Sequence, residues 1–194
     1  MGREFELKYR ATEEQLKNIE AIYGGFREIR METTYYDAPD GIFSRLHWTL
    51  RRRMENGVSV CTLKSNLSDG SRGEWEVEWG DILSAVPRLI AMGAPKELEE
   101  YTRDGVSPTC GARFTRKALT LAAGAGTVEL ALDQGQLLGG GQALPFAEVE
   151  VELKQGRDED AVAFAQTLAS RFGLTQEPKS KLRRALDLAE ASNL

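Results

Sequence analysis

Charged and apolar side chains alternate strictly along Glu4-Phe5-Glu6-Leu7-Lys8, the period of a β-strand with one face buried. The pattern returns in the run from Arg72 to Trp79 and again from Glu148 to Lys154. Further strands are predicted at Met31–Tyr36, His47–Met54, Val58–Lys64, Ala112–Leu121 and Thr127–Asp133. Asn56-Gly57 between two strand-like runs is a strong short hairpin signal. Asp37-Ala38-Pro39-Asp40-Gly41 reads as a turn and residues 65–71 as a polar loop. Gly139-Gly140-Gly141 reads as a hairpin tip, not a phosphate cradle, because no helix carrying Lys-Ser/Thr follows it.

Helical periodicity interrupts the strands. Thr12 with Gln15 forms a capping-box start for a helix over Glu13–Tyr23, closed by Gly24-Gly25. Helices are also predicted at Asp81–Met92, at Pro95–Thr102, at Glu159–Phe172 before Gly173, and at Ser180–Ala191. About eight strands joined largely by hairpins imply an α+β fold with an antiparallel sheet. No linker composition divides residues 1–194, so a single domain is expected.

Strand parity places Glu4, Glu6 and Lys8 on one face, and likewise Arg51 with Arg53, Thr62 with Lys64, and Arg72 with Glu74, Glu76 and Glu78. Glu129 and Asp133 lie opposite Val128, Leu130 and Leu132, while Glu148, Glu150 and Glu152 lie opposite Val149, Val151 and Leu153. Any one such face can simply be solvated. Taken together they segregate carboxylates to some strands and Arg or Lys to others. Like charges about 7 Å apart along one strand, at roughly 3.3 Å per residue, call for compensation, and bound cations would supply it. A sheet curved into a barrel turns these faces into a charged lumen, with the apolar faces outward under the helices at 13–23, 159–172 and 180–191. Acidic clusters suit hard divalent cations, and Arg and Lys suit phosphoryl oxygens.

Composition trims the alternatives. The 194 residues carry a net charge of −5, 41% hydrophobic and 28% charged residues, the profile of an ordinary soluble protein. No run is long and apolar enough for a membrane span, and the start shows no secretory signal, so a cytoplasmic location is expected. Cys61 and Cys110 lack metal-ligand spacing, and His47 as the sole histidine disfavours a zinc site or a Ser-His-Asp triad. Trp75 and Trp79 fall on an apolar face, which assigns them to packing rather than nucleic-acid stacking. His47 is expected in a surface turn.

The ordered set of charged motifs resembles the CYTH, or triphosphate tunnel metalloenzyme, superfamily. Glu4-Phe5-Glu6-Leu7-Lys8 matches its ExExK signature, and the likeness continues through Tyr35-Tyr36-Asp37-Ala38-Pro39-Asp40, Leu50-Arg51-Arg52-Arg53 and Thr62-Leu63-Lys64. It extends through Arg72-Gly73-Glu74, Arg116, the segment 129–135, the strand 148–152 and Ser180-Lys181. The chain is most similar to the bacterial inorganic triphosphatase branch, and the extra C-terminal helical domain some members carry is not expected within these 194 residues. The resemblance implies a closed eight-stranded antiparallel tunnel with a charged lumen and helices packed outside.

It also implies roles. Glu4 and Glu6, with Glu74, Glu129, Asp133, Glu148, Glu150 and Glu152, would bind Mg²⁺ or Mn²⁺. Lys8, Arg51, Arg53, Lys64, Arg72, Arg116 and Lys181 would grip phosphate, and Glu4, Glu6, Lys8 and Glu150 would form the catalytic set. Arg52 stands where the family strand is usually apolar and points outward by parity. Ser180-Lys181-Leu182-Arg183-Arg184-Ala185 lacks a glycine common after the arginine, which leaves the role of Arg184 open.

The implied activity is metal-dependent hydrolysis of inorganic triphosphate to pyrophosphate and phosphate. A class IV-type adenylate cyclase or a thiamine-triphosphatase would use a similar tunnel. A non-catalytic binder of polyphosphate or nucleotides is the alternative of another class. The expected partner is a small anionic triphosphate, without nucleic acid or membrane, in a chain that could pair as a homodimer.

Overall fold

The computed structural model describes residues 2–3, 5–66 and 72–192. Glu4, expected among both the metal ligands and the catalytic groups, lies outside them, as does most of the loop expected at 65–71. Strands β1 (Gly2–Arg3) and β2 (Glu6–Arg10) precede helix α1 (Glu13–Tyr23), β3 (Arg27–Asp37) and the short helix α2 (Ile42–Leu46). Next come β4 (Thr49–Glu55), β5 (Val58–Asn66), β6 (Arg72–Glu78), α3 (Ile82–Ala91) and α4 (Glu97–Tyr101). The chain continues through β7 (Ser107–Ala123), β8 (Gly126–Gly139), β9 (Gln142–Gln155), α5 (Asp158–Phe172), β10 (Thr175–Gln176) and α6 (Lys181–Ala191).

Among the described residues the strands form one ten-stranded sheet in the order β1-β6-β5-β4-β3-β7-β8-β9-β2-β10, with antiparallel neighbours. The hydrogen-bonded order is linear, not an eight-stranded ring. The first expected strand divides: Gly2 and Arg3 pair with β6 at one end of the ladder, and Glu6–Arg10 pair with β9 near the other. A short strand that local pattern does not announce, β10, pairs with Tyr9 and Arg10. Long strands β7 and β8 run well past their alternating segments, because partners on both sides continue the ladder where side-chain pattern fades.

Local chemistry shapes the connections as expected. Thr12 accepts from the Gln15 backbone N–H at 3.1 Å, and the Gln15 side chain accepts from the Thr12 N–H at 2.8 Å, a complete capping box. The β4–β5 hairpin turns on Asn56 and Gly57, both at positive φ, as an Asn-Gly turn requires. The turn after β3 is organised by buried Asp37, whose carboxylate accepts from the N–H groups of Ala38, Phe43 and Ser44 at 2.8, 3.0 and 3.0 Å. His47 is exposed and caps α2 in a left-handed conformation.

Two apolar layers cover one face of the sheet. Helices α1 and α5 bury Leu16, Ile19, Ala161, Ala165 and Leu168 against Val128, Leu130, Val149 and Val151. On the opposite flank, α3 and α4 seal Leu50, Cys61, Leu63 and Trp75 with Val86, Leu89 and Leu98. Trp79 packs at the edge of that cluster, under the Arg88 guanidinium at 3.5 Å, so both tryptophans are packing residues. Burial pushes the Cys61 thiol up to about 11, and Cys110 likewise up to about 11. Both are free thiols.

Helix α6 departs from the expected outer position. Its Ala185 packs with Ile29, Met31, Phe114 and Leu137, which share parity with the charged inner face rather than with the helix-covered one. Gly139 permits the approach, since a Cβ there would lie 3.0 Å from the Ala189 nitrogen. The hairpin tip at Gly139–Gly141 is therefore seated against α6 at its first glycine. An amphipathic pattern marks one face of a helix as buried but does not say which side of a sheet receives it.

Candidate active site

The concave face encloses a cavity of about 300 Å³ with three chemically distinct walls. The first is acidic. Register sets Glu6 opposite Glu152, and Glu152 opposite Glu129, so three carboxylates lie in one row across β2, β9 and β8. Like charges directly opposite in a sheet repel. Lys8 approaches Glu6 at 3.6 Å and Lys154 approaches Glu152 at 3.0 Å, which offsets part of that repulsion.

The second wall is basic. Arg51 and Arg53 of β4, Lys64 of β5 and Arg72 of β6 all reach the cavity. Among the described residues, Arg51 lies 3.3 Å from Glu74 and 3.5 Å from Glu76, Lys64 lies 3.2 Å from Glu74, and Arg53 lies 3.6 Å from Glu76. Arg53 also holds Glu55 through its Nε at 2.6 Å, and Arg72 donates to Thr49 Oγ1 at 3.2 Å. Burial and the adjacent Arg51 lower the Arg53 pKa. At Glu74 burial pushes upward, but Lys64 and Arg51 outweigh it and hold the carboxyl below its ordinary value. Among the described residues the cavity lining carries nine Lys or Arg against seven Glu, in a chain of net charge −5.

The third wall, formed by β3 and β7, is largely apolar. Ile29, Met31, Thr33 and Tyr35 alternate inward with 4–5% exposure, and Phe114 joins them from β7. Glu32 of β3 faces out instead, where Arg113 of β7 pairs with it at 3.1 Å. The expectation that every apolar face points outward fails here, because α6 covers part of this inner surface and makes it a core.

Behind the acidic row lies a buried ionic hub. Asp133 and Glu148 have no exposure and do not line the cavity, whereas Glu150 reaches it. Lys181 places its Nζ 2.7 Å from Asp133 and 2.8 Å from Glu150, and it also pairs with Glu148. Arg116 grips Asp133 in bidentate fashion at 2.8 and 2.7 Å and also donates to Glu150. Arg184 donates to the remaining Glu148 oxygen. Burial alone would raise the Glu150 carboxyl, but Lys181 and Arg116 hold it well below the usual carboxylate range. Burial likewise works against charge on Lys181, yet Asp133, Glu150 and Glu148 raise its pKa above the ordinary ammonium value.

A CYTH-domain family model matches residues 2–186. The chain belongs to the CYTH family. It is 28% identical over 153 residues, 78% of this chain, to an inorganic triphosphatase of Haemophilus influenzae, and it spans only 44% of that relative's length. Solved structures share the CYTH fold at lower identity. HpAC1 of Hippeastrum, described as having a dominant triphosphatase activity, superposes with a TM-score of 0.66 at 19% identity, covering 98% of this chain and 97% of that one. A Pyrococcus horikoshii protein, PH1819, gives 0.66 at 22% identity over 95% and 99%. A Bacillus halodurans protein bearing an adenylate cyclase designation gives 0.62 at 18% over 95% and 98%.

Within this CYTH chain the expected phosphate-binding residues Lys8, Arg51, Arg53, Lys64, Arg72, Arg116 and Lys181 all line the cavity. So do the acidic candidates Glu6, Glu74, Glu129, Glu150 and Glu152, while Asp133 and Glu148 sit behind its wall. Arg52 points outward, donating to the Gly80 carbonyl at 3.1 Å. By parity Thr49 shares a face with Arg51 and Arg53, and Lys154 with Glu148, Glu150 and Glu152, and both reach the cavity; parity reasoning did not single out Tyr35, Thr33 or Arg27, which reach it too. Tyr35 stood inside a quoted motif, but nothing local shows that β3 turns its less polar face inward.

Two donor sets bear on a divalent cation. Among the described residues, Asp133, Glu148 and Glu150 bring carboxylate oxygens within 4.8 Å of one another, a spacing that could hold an ion. The row of Glu6, Glu152 and Glu129 presents hard oxygen donors directly to the cavity, the chemistry Mg²⁺ and Mn²⁺ prefer. No helix of the described residues is long and apolar enough to cross a membrane.

Proposed function

We propose that this CYTH chain is a metal-dependent hydrolase of triphosphate substrates, with inorganic triphosphate as the best-fitting substrate and pyrophosphate and phosphate as products. The observation that carries this reading is the opposition of an acidic row to a basic wall across one cavity. That pairing suits a polyanion delivered with its cation. In this reading the N-terminal residues, which touch both ends of the sheet, complete a tunnel, and residues 1–194 act as one CYTH domain.

Arg51, Arg53, Lys64 and Arg72 bind the phosphate oxygens and fix the chain of phosphates in line. Glu6, Glu152 and Glu129 would hold Mg²⁺ or Mn²⁺, which supplies charge neutralisation and polarises a phosphoryl oxygen when bound. Water attacks the terminal phosphorus while the bridging P–O bond breaks, and pyrophosphate leaves. The proton of the attacking water passes to a carboxylate of the acidic row. Glu150 is a poor acceptor for that proton, because Lys181 and Arg116 hold it ionised. Arg116, on the cavity lining beside Glu150, adds positive charge to the phosphate site.

Among the described lining residues, the apolar wall of Ile29, Met31 and Phe114 offers a place for an organic end group, as a nucleoside or thiamine triphosphate would bring. A panel of inorganic triphosphate, ATP, thiamine triphosphate and pyrophosphate, each with Mg²⁺ and with Mn²⁺, separates these readings by phosphate release and cyclic nucleotide formation. Inorganic triphosphate is expected to give the highest kcat/KM, with activity abolished by EDTA. Glu6→Gln is expected to lower kcat/KM roughly 100-fold or more. Metal-dependent turnover near the wild-type rate in that variant would remove Glu6 from the site, and binding without product would make the protein a polyphosphate binder.

A further inference from the structure

The three carboxylates with the right spacing for a cation already surround one. Lys181 Nζ stands 2.7 Å from Asp133, 2.8 Å from Glu150 and in contact with Glu148. Of the three N–H donors of an ammonium, hydrogen bonds go to Glu148 and Glu150, and Asp133 completes the trio as an ion pair. Arg116 and Arg184 take up oxygens that Lys181 leaves, so three negative charges meet three positive ones. Buried charges persist only when paired and hydrogen-bonded in this way. Phe114 and Phe146 close the hub on its apolar side, with the Lys181 nitrogen 5.1 and 5.6 Å from their ring centres.

We propose that the Asp133–Glu148–Glu150 trio is the seat of the Lys181 ammonium and not a divalent-cation site, with Asp133 and Glu148 acting as positioning residues for Lys181. Their anchorage runs through the first turn of α6, whose Ser180, Lys181 and Leu182 line the cavity. Lys181 then contributes positive charge at a fixed point of the wall while its hydrogen bonds remain committed to the trio. Arg184, on the next turn, is the second anchor of the same helix. The inference rests on the hydrolase reading only in taking the cavity for the phosphate site.

The test is equilibrium Mn²⁺ binding to the full chain without substrate, followed by the loss of the free-ion EPR signal. Wild type, Asp133→Asn and Glu148→Gln are expected to bind the same number of Mn²⁺ ions with unchanged affinity. Lys181→Ala, which empties the seat, is expected to gain one Mn²⁺ per chain. A fall of roughly 10-fold or more in Mn²⁺ affinity in either carboxamide variant, the scale of a lost coordinating contact, would overturn the proposal. Those two near-isosteric variants decide the matter even where Lys181→Ala fails to fold. With tripolyphosphate, Glu148→Gln is expected to raise KM and leave the Mn²⁺ concentration for half-activation in place; a shift of that midpoint instead would make Glu148 a metal ligand. A wild-type chain that bound Mn²⁺ but hydrolysed no triphosphate would reject the hydrolase reading alone.

Discussion

Arg51 shows how much of the site's chemistry resides in single side chains. It lies in the middle of the basic wall, and its ion pairs to Glu74 and Glu76, at 3.3 and 3.5 Å, are longer than the 2.7 Å contacts of the buried hub. Its guanidinium faces the cavity, where phosphate oxygens would offer it charge-assisted hydrogen bonds. Arg51→Gln removes a charge-assisted hydrogen bond worth about 1.5–3 kcal/mol, so KM for tripolyphosphate should rise roughly 10- to 100-fold. Steady-state kinetics at saturating Mg²⁺ measure it, and an unchanged KM would take Arg51 out of the binding wall. Arg51 was legible from its strand parity. Arg184 was not, because its partner Glu148 lies 36 residues away in sequence and only the packing of α6 joins them.

At the scale of elements, the outer helices and the long strands obey different logic. Helices α1 and α5 follow their periodicity, and their caps and buried residues were readable from the chain. Strands β7 and β8 depend on their neighbours. Gly135 sits in register with Phe114 on one side and Phe146 on the other. Its missing side chain lets those rings meet edge-on at 5.7 Å, under the Lys181 and Arg184 charges. A Cβ at this position would collide with the Arg113 carbonyl and with Phe114. Gly135→Ala should therefore cost about 1–3 kcal/mol of stability, as overpacking does. The urea midpoint measures it, with an unchanged midpoint as the contrary result.

For the whole molecule, charge is partitioned rather than averaged. The chain is net −5, yet its cavity lining holds nine cations against seven carboxylates among the described residues. Anion capture should then depend on that local field more than on the global sign. Raising salt from about 0.1 M to about 1 M shortens the Debye length from ~10 Å to ~3 Å. KM for tripolyphosphate should rise several-fold over that range at constant free Mg²⁺, with kcat much less affected. A KM independent of salt would mean that direct contacts alone, without the field, set affinity.

The amino-acid sequence by itself determined most of the strand and helix inventory, short α2 and β10 apart, the hairpin at Asn56-Gly57, the charged faces of most strands and most of the charged residues that reach the cavity. Those features depend on period and local turn chemistry, which act between near neighbours. Only the tertiary structure decided the rest. It set Glu6, Glu152 and Glu129 in one row, turned Ile29, Met31 and Tyr35 inward, and brought α6 onto the inner face. It also withdrew Asp133 and Glu148 from the cavity to enclose Lys181. Parity tells which side chains share a face, but register between strands and the choice of what covers each face are settled by packing across the whole sheet.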